Sequence, residues 1–318
     1  MRSPPESVLA PSRASGWPVA LAAVMLGLGI LAAYHNSFHG SLIFDDEPAI
    51  LENPSIQQLW PVWKTLVPPA DLTVTGRPVA NFTLAVNYAL SGTNVWSYHA
   101  LNLLIHLLAG LTLFGVVRRT LLQPVLRERF GRDAFFLAFV IALLWSLHPL
   151  QTEAVTYVIQ RVESLMGLFY LLTFYCFIRS VESPRPRFWQ TCAVAACLLG
   201  AATKEVTATA PLLMLLYDRT FVAGSFREAW RRRGGVHVAL AATWLPLAGL
   251  VASAGWDRNG TSGFDVGITP WAYWLTQFEA VTRYLWLSVW PHPLVFEYGT
   301  FWVRDRRASC RERVCLYV

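Results

Sequence analysis

The sequence predicts an all-α, polytopic membrane protein, and three observations carry that reading. Of the 318 residues 54% are hydrophobic and 14% charged, against roughly 25% charged in a soluble domain. Mean hydropathy is +0.39, and the apolar residues fall in runs near the ~20 residues that a membrane-crossing helix needs. The net charge of +6 sits in arginine-rich links between those runs, which is the signature of cytoplasmic loops rather than of nucleic-acid binding.

Seven spans are expected: 17–35, 100–117, 134–150, 163–179, 188–204, 205–217 and 235–255. The sixth is short and follows the fifth across Lys204-Glu205. An eighth apolar stretch, 271–290, holds Glu279 and Arg283 one helical turn apart. A charge at the bilayer centre costs on the order of 3 kcal/mol, so this stretch is read as an interfacial helix. A span with an inward Glu–Arg pair is the alternative. Residues 1–16 form a polar tail, and no small-residue cleavage site follows the first run, so that run is a retained span. Cys176, Cys192 and Cys197 lie within apolar runs as buried thiols, and no cysteine spacing suggests zinc or a disulfide framework.

The arginines set the orientation. They fill the links after the second, fourth and sixth spans, which are therefore cytoplasmic together with the N-terminus. The intervening loops are extracytoplasmic: 36–99, 148–162, the Lys204-Glu205 corner and everything after about 256. Loop 36–99 is too long for a simple connector. Residues 56–66 and 79–90 carry helix-like apolar spacing and read as short amphipathic helices on the membrane surface, separated by Pro68-Pro69.

The extracytoplasmic face then collects most of the acids and a few bases. Asp45 and Asp46 are candidate general bases toward a hydroxyl or amide, with a helix cap or a solvated loop as the bland reading. His148-Pro149, Thr152-Glu153, Arg161 and Glu163 mark a short amphipathic segment in the next loop. Lys204 beside Glu205 is either a snorkelling lysine or a phosphate binder at headgroup level, with Arg161 or Arg283 adding bidentate contact. Gly76-Arg77-Pro78 is a turn signal. No second His or Cys accompanies His148, so no metal is expected.

Taken in order, these pieces resemble a known family. Phe44-Asp45-Asp46 with Asn53-Pro54, Gly76-Arg77-Pro78, Asn87-Tyr88, Tyr98-His99, Asn102 and His106 come first. His148-Pro149, Thr152-Glu153, Arg161, Glu163, Lys204-Glu205, Leu216-Tyr217-Asp218 and the Pro291–Tyr298 segment follow. Over roughly 40–300 the chain is similar to the membrane part of the transmembrane and tetratricopeptide-repeat proteins, within the GT-C glycosyltransferases. The resemblance implies a GT-C-type domain over 17–302 with seven to eight transmembrane helices. It also implies a sugar donor on a polyprenyl or dolichyl phosphate and transfer, usually of mannose, to protein Ser or Thr hydroxyls. Asp45 or Asp46 would be the base and Glu153 an assisting acid. Arg77, Arg161, Lys204, Glu205 and Arg283 would form the lipid-phosphate site. The lipid carrier and a protein acceptor are the expected partners, nucleic acid is not, and no cofactor is called for.

Two departures stand out. Glu297 occupies a place where the family pattern has Asp. The Arg-rich stretch 303–318 stands where helical repeats would follow, and it reads as a truncated or frame-shifted end. The expected location is a bacterial inner membrane, or the endoplasmic reticulum membrane in a eukaryote. A transporter and a non-catalytic anchor for a repeat scaffold are the rival readings. The charges cluster at span ends and no internal repeat is visible, both unlike a transporter.

Overall fold

A computed structural model describes residues 17–70, 72–254 and 270–296, and among them the chain is helical, with no strand. The expected tail 1–16, the stretch 303–318 and Glu297 lie outside these residues. The first run forms α1 (Trp17–Tyr34). Its Ala22, Leu26, Ile30 and Tyr34 recur at every fourth position and are buried, while Trp17, Leu21, Val24, Met25, Leu28 and Leu31 stand exposed. A helix that is apolar on all sides, with only one stripe packed against protein, is matched to lipid on its outer face.

The first loop contributes α2 (Val62–Leu66) and α3 (Pro78–Ser91). Pro78 begins α3 where the missing N–H is harmless, and extended Pro61 directly precedes α2. Gly92, at φ +58°, ends α3 in a conformation that few side chains tolerate. Then come α4 (Trp96–Leu121), α5 (Pro124–Phe130), α6 (Ala134–Leu147), α7 (Gln151–Thr156), α8 (Arg161–Glu182) and α9 (Pro186–Ala201). A 3₁₀ turn over Glu205–Thr209 leads into α10 (Ala210–Tyr217). The remaining helices are α11 (Phe226–Ala242), α12 (Trp244–Ala254) and α13 (Pro270–Leu287).

Among the described residues four helical segments are long and apolar enough to cross a membrane: Trp17–His39, Trp96–Leu121, Arg161–Glu182 and Phe226–Ala254. The pair α5 and α6, bent by 94°, would make a fifth if counted as one span. The chain is a membrane protein, but this count is lower than the seven or eight read from hydropathy. The reason is helix length. The expected spans 134–150, 188–204 and 205–217 form helices of 14, 16 and 8 residues. At ~1.5 Å per residue the longest of these reaches ~24 Å, short of a ~30 Å hydrocarbon core. The break at Lys204-Glu205 divides what would otherwise be one apolar rod. The stretch 271–290 is largely α13, which exposes Trp271, Trp274, Phe278, Tyr284 and Trp286.

At the centre α4 packs against α1, α6 and α8, and α8 packs against α9. Gly110 permits the close approach of α4 to α6, since a Cβ there would lie 2.6 Å from the Ser146 hydroxyl. Contacts between the connections sort them to two ends. One end gathers the first loop, α7 and the 202–209 corner. The other gathers the arginine-rich links. They are called here the loop end and the arginine end.

Candidate active site

The site at the loop end starts from the turn that holds Asp45 and Asp46. Phe44 has φ +46°, the left-handed region that a bulky aromatic residue rarely enters. The turn sends the two neighbouring acids opposite ways. Asp46 goes inward and is 1% exposed. Its Oδ1 accepts the Ile159 N–H at 2.8 Å and its Oδ2 accepts the Ile43 N–H at 3.2 Å. Burial pushes the Asp46 carboxyl up to about 6, against the lowering pull of those backbone donors. Asp45 points outward and is exposed, while its backbone N–H donates to the Tyr157 hydroxyl at 2.9 Å. The adjacent aspartates therefore differ in kind. One locks the first loop to the segment before α8, and the other presents a carboxylate.

Tyr157 ties the loops together. Burial, and then the surrounding Asp45, Asp46 and Glu153 carboxylates, push its phenol up to about 12 against the pull of the Asp45 amide. It stays a neutral hydroxyl at any physiological pH. Phe296 lies against both Tyr157, with ring centroids 5.2 Å apart, and Phe44, at 5.3 Å. The segment after α13 thus lies beside the Asp45 turn. Sequence reasoning missed Tyr157. Its signal was the four-residue spacing from Glu153, which sets two residues on one face of a helical segment.

Glu153 is exposed on α7 and accepts the Gln160 amide N–H at 3.3 Å. Partial burial, followed by the Glu163 carboxylate, draws its pKa up. Glu163, in the first turn of α8, is ion-paired with Lys204 at the break before the 3₁₀ turn. Next to it, Arg77 pairs with Glu205 at 3.6 Å. The Val79 N–H donates to the Ala202 carbonyl at 3.2 Å, pinning the start of α3 to this corner. Asp45, Asp46, Glu153, Lys204, Glu205 and Arg77 therefore share one end of the bundle, linked through Tyr157, Glu163 and the α3 contact. Arg283 sits on α13, half-buried, one turn after Glu279.

Arg161 departs from its expected role as a phosphate ligand. It is 1% exposed and faces inward. Its Nε donates to Asn102 Oδ1 at 2.6 Å, Nη1 to Asn87 Oδ1 at 2.6 Å and Nη2 to the Tyr98 carbonyl at 2.9 Å. With its fork engaged by neutral oxygens from α3 and α4, the buried guanidinium fastens α8 to both helices. Among the described residues no three of His, Cys, Asp and Glu converge as a metal-binding set.

Fold and site together define a polytopic helical membrane protein whose polar groups converge on one end of its bundle. No family model and no solved structure matches the chain. Curated relatives do. The protein O-mannosyl-transferase TMTC2 of Homo sapiens is 27% identical over 297 residues, 85% of this chain and 34% of that protein. TMTC1 of Homo sapiens is 32% identical over 184 residues, covering 54% and 20%. Tmtc3 of Drosophila melanogaster is 30% identical over 214 residues, covering 59% and 23%. These similarities support a TMTC-like family for the chain, which spans between a fifth and about a third of the length of those relatives.

Proposed function

We propose that the chain is the membrane part of a GT-C-type O-mannosyltransferase that moves a mannosyl group from a polyprenyl- or dolichyl-phosphate carrier to a protein Ser or Thr hydroxyl. The reaction takes place on the extracytoplasmic side, in the periplasm beside a bacterial inner membrane or in the lumen of the endoplasmic reticulum. The observation that carries this reading is the outward carboxylate of Asp45, held on a turn that Asp46 fastens from behind, in a chain whose relatives are named protein O-mannosyl-transferases.

Asp45 takes the proton of the acceptor hydroxyl as its oxygen attacks the anomeric carbon. The bond from that carbon to the phosphate oxygen breaks, and the lipid phosphate leaves with the electron pair. Attack opposite the leaving group inverts the anomeric centre. Lys204 and Arg77, already at one corner, receive the phosphate charge, Arg283 adds to them, and Glu153 assists from α7. Glu163 and Glu205 hold the two cations in place until the phosphate arrives. No metal or other cofactor is assigned to this step.

The test is transfer from mannosyl-phosphoryl-polyprenol to a Ser/Thr peptide library in membranes carrying the full chain. Transfer is expected from the wild type and not from Asp45→Asn, with inverted anomeric configuration in the product. Undiminished transfer by the Asp45→Asn, Asp46→Asn double variant would overturn the role of the turn and leave a non-catalytic anchor.

A further inference from the structure

The arginine end holds a cavity of about 400 Å³ that the loop-end chemistry does not use. Val19 and Ala23 of α1, Leu108, Leu111 and Phe114 of α4 and Leu172 of α8 make its apolar walls. Thr112 also lines it, and its hydroxyl already donates to the Leu108 carbonyl at 2.7 Å. Toward the arginines Gly115 meets Tyr175. A Cβ on Gly115 would stand 2.7 Å from the Tyr175 ring, so only glycine lets that ring lie flush against α4.

At the mouth are Arg118 and Arg119, and they differ. Arg119 is neutralised by an ion pair with Glu182 and lies over the Tyr175 ring at 5.5 Å. Arg118 is half-buried and has no hydrogen bond or ion pair from its side chain among the described residues. A lone guanidinium at the rim of an apolar groove between spanning helices is complementary to an anionic headgroup with an acyl chain below it. The dimensions agree. From Leu108 to Arg118 the helix rises ~15 Å, half of a ~30 Å hydrocarbon core and so the depth of one leaflet. The positive-inside orientation places this mouth in the cytoplasmic leaflet, where anionic lipids meet basic side chains.

We infer that the groove between α1, α4 and α8 binds one anionic glycerophospholipid of the cytoplasmic leaflet, with one acyl chain along Leu108–Phe114 and the phosphate on Arg118. The site lies at the opposite end of the bundle from Asp45 and is independent of the proposed transfer reaction.

The experiment places the full chain in nanodiscs of equal parts palmitoyl-oleoyl phosphatidylglycerol and phosphatidylcholine, re-extracts it gently and counts retained lipids by native mass spectrometry. One phosphatidylglycerol is expected to persist in preference to phosphatidylcholine. Arg118→Gln should reduce that preference about tenfold, the effect of losing one charge-assisted contact, and Arg118→Lys should keep much of it. Thr112→Trp, which fills the groove, should reduce retention of both lipids, whereas Arg127→Gln on α5 should change nothing. Each variant's melting temperature in lipid-free detergent is compared with that of the wild type. If Arg118→Gln melts early, the Lys and Thr112 variants decide the matter. Equal preference in Arg118→Gln and wild type overturns the inference. So does equal loss in Arg127→Gln, which reports only the general positive field, or a lipid-free dimer that covers the groove with a second copy.

Discussion

At the arginine end Asp218 is fully buried, and both its oxygens are taken: the Arg233 guanidinium grips it bidentately at 2.6 and 2.9 Å, and His237 Nε2 lies 2.8 Å from Oδ2. At the loop end no cation touches Asp46, whose oxygens hold two backbone amides, and Asp45 beside it faces outward. Burial alone would push Asp218 up, yet the hydrogen bonds from His237 and Arg233 outweigh it and hold its carboxyl below the usual range. Burial wins at Asp46, which rises to about 6. A closed ion cluster fixes α11 to the end of α10 and has no spare valence. The open arrangement spends one acid on the backbone and leaves the other for chemistry. Local partners, not residue type, separate a structural acid from a reactive one.

The largest test of this contrast is Asp218→Asn. Removing the buried charge opposite half-buried Arg233 should destabilise the fold by about 3 kcal/mol, read as early thermal unfolding in detergent. A wild-type melting temperature would show that the cluster is ornamental. Arg161→Met comes next. It leaves the Asn102, Asn87 and Tyr98 acceptors without donors, with an expected cost above about 3 kcal/mol and no separate effect on substrate affinity. If Arg161→Met instead folds normally and loses donor binding, the pin described here is wrong and the phosphate role returns.

Asp45→Asn should leave the melting temperature unchanged, because the side chain is exposed, and should reduce transfer by about 10²-fold or more. Unchanged transfer would place the base elsewhere. Lys204→Gln should weaken donor binding by roughly tenfold, visible as a raised KM in the same assay.

The last test is the pH signature of the two buried acids. The folded pKa of Asp46, about 6, lies above its unfolded value, so its stabilising contribution is complete below about pH 4 and is lost as pH rises through about 6, by at most ~1.4 kcal/mol per pH unit. Asp218 has a lowered folded pKa, so its contribution is present above about pH 4 and is lost as pH falls through that lowered value. Asp46→Asn should flatten the stability profile between pH 4 and 6, and Asp218→Asn should flatten only its acid limb. Identical profiles for both variants would erase the distinction between the two ends.

Much of the helical framework was legible, because hydropathy reports burial in lipid directly. The helices α1, α4 and α8 lie where the apolar runs put them, and α3 (Pro78–Ser91) matches the spacing over 79–90. The run 56–66 was less legible: Pro61 cannot donate to a helix, and only Val62–Leu66 forms one. The expected spans 134–150, 188–204 and 205–217 were read from hydropathy alone, which does not report that their helices α6, α9 and α10 run for only 14, 16 and 8 residues. At the site the charged residues were legible but not their directions. Asp45 and Asp46 read alike, and only the left-handed backbone at Phe44 separates them. The burial of Arg161 depends on Asn87 and Asn102, residues 74 and 59 positions away, and no local pattern carries that information. The Asp218–His237 contact spans 19 residues across two helices and escaped for the same reason.

The bonds that set Asp45 and Asp46 join residues 112 and 113 positions apart in the chain. A ribosome makes the aspartates long before it makes Tyr157 and Ile159, and domains generally fold as their parts emerge. A nascent chain stopped before Tyr157 carries both acids across the membrane with neither lock available. The carboxylate pair is thus assembled late, only after the second outer loop has crossed, and an arrested chain of that length would display the turn to proteases that the finished protein resists.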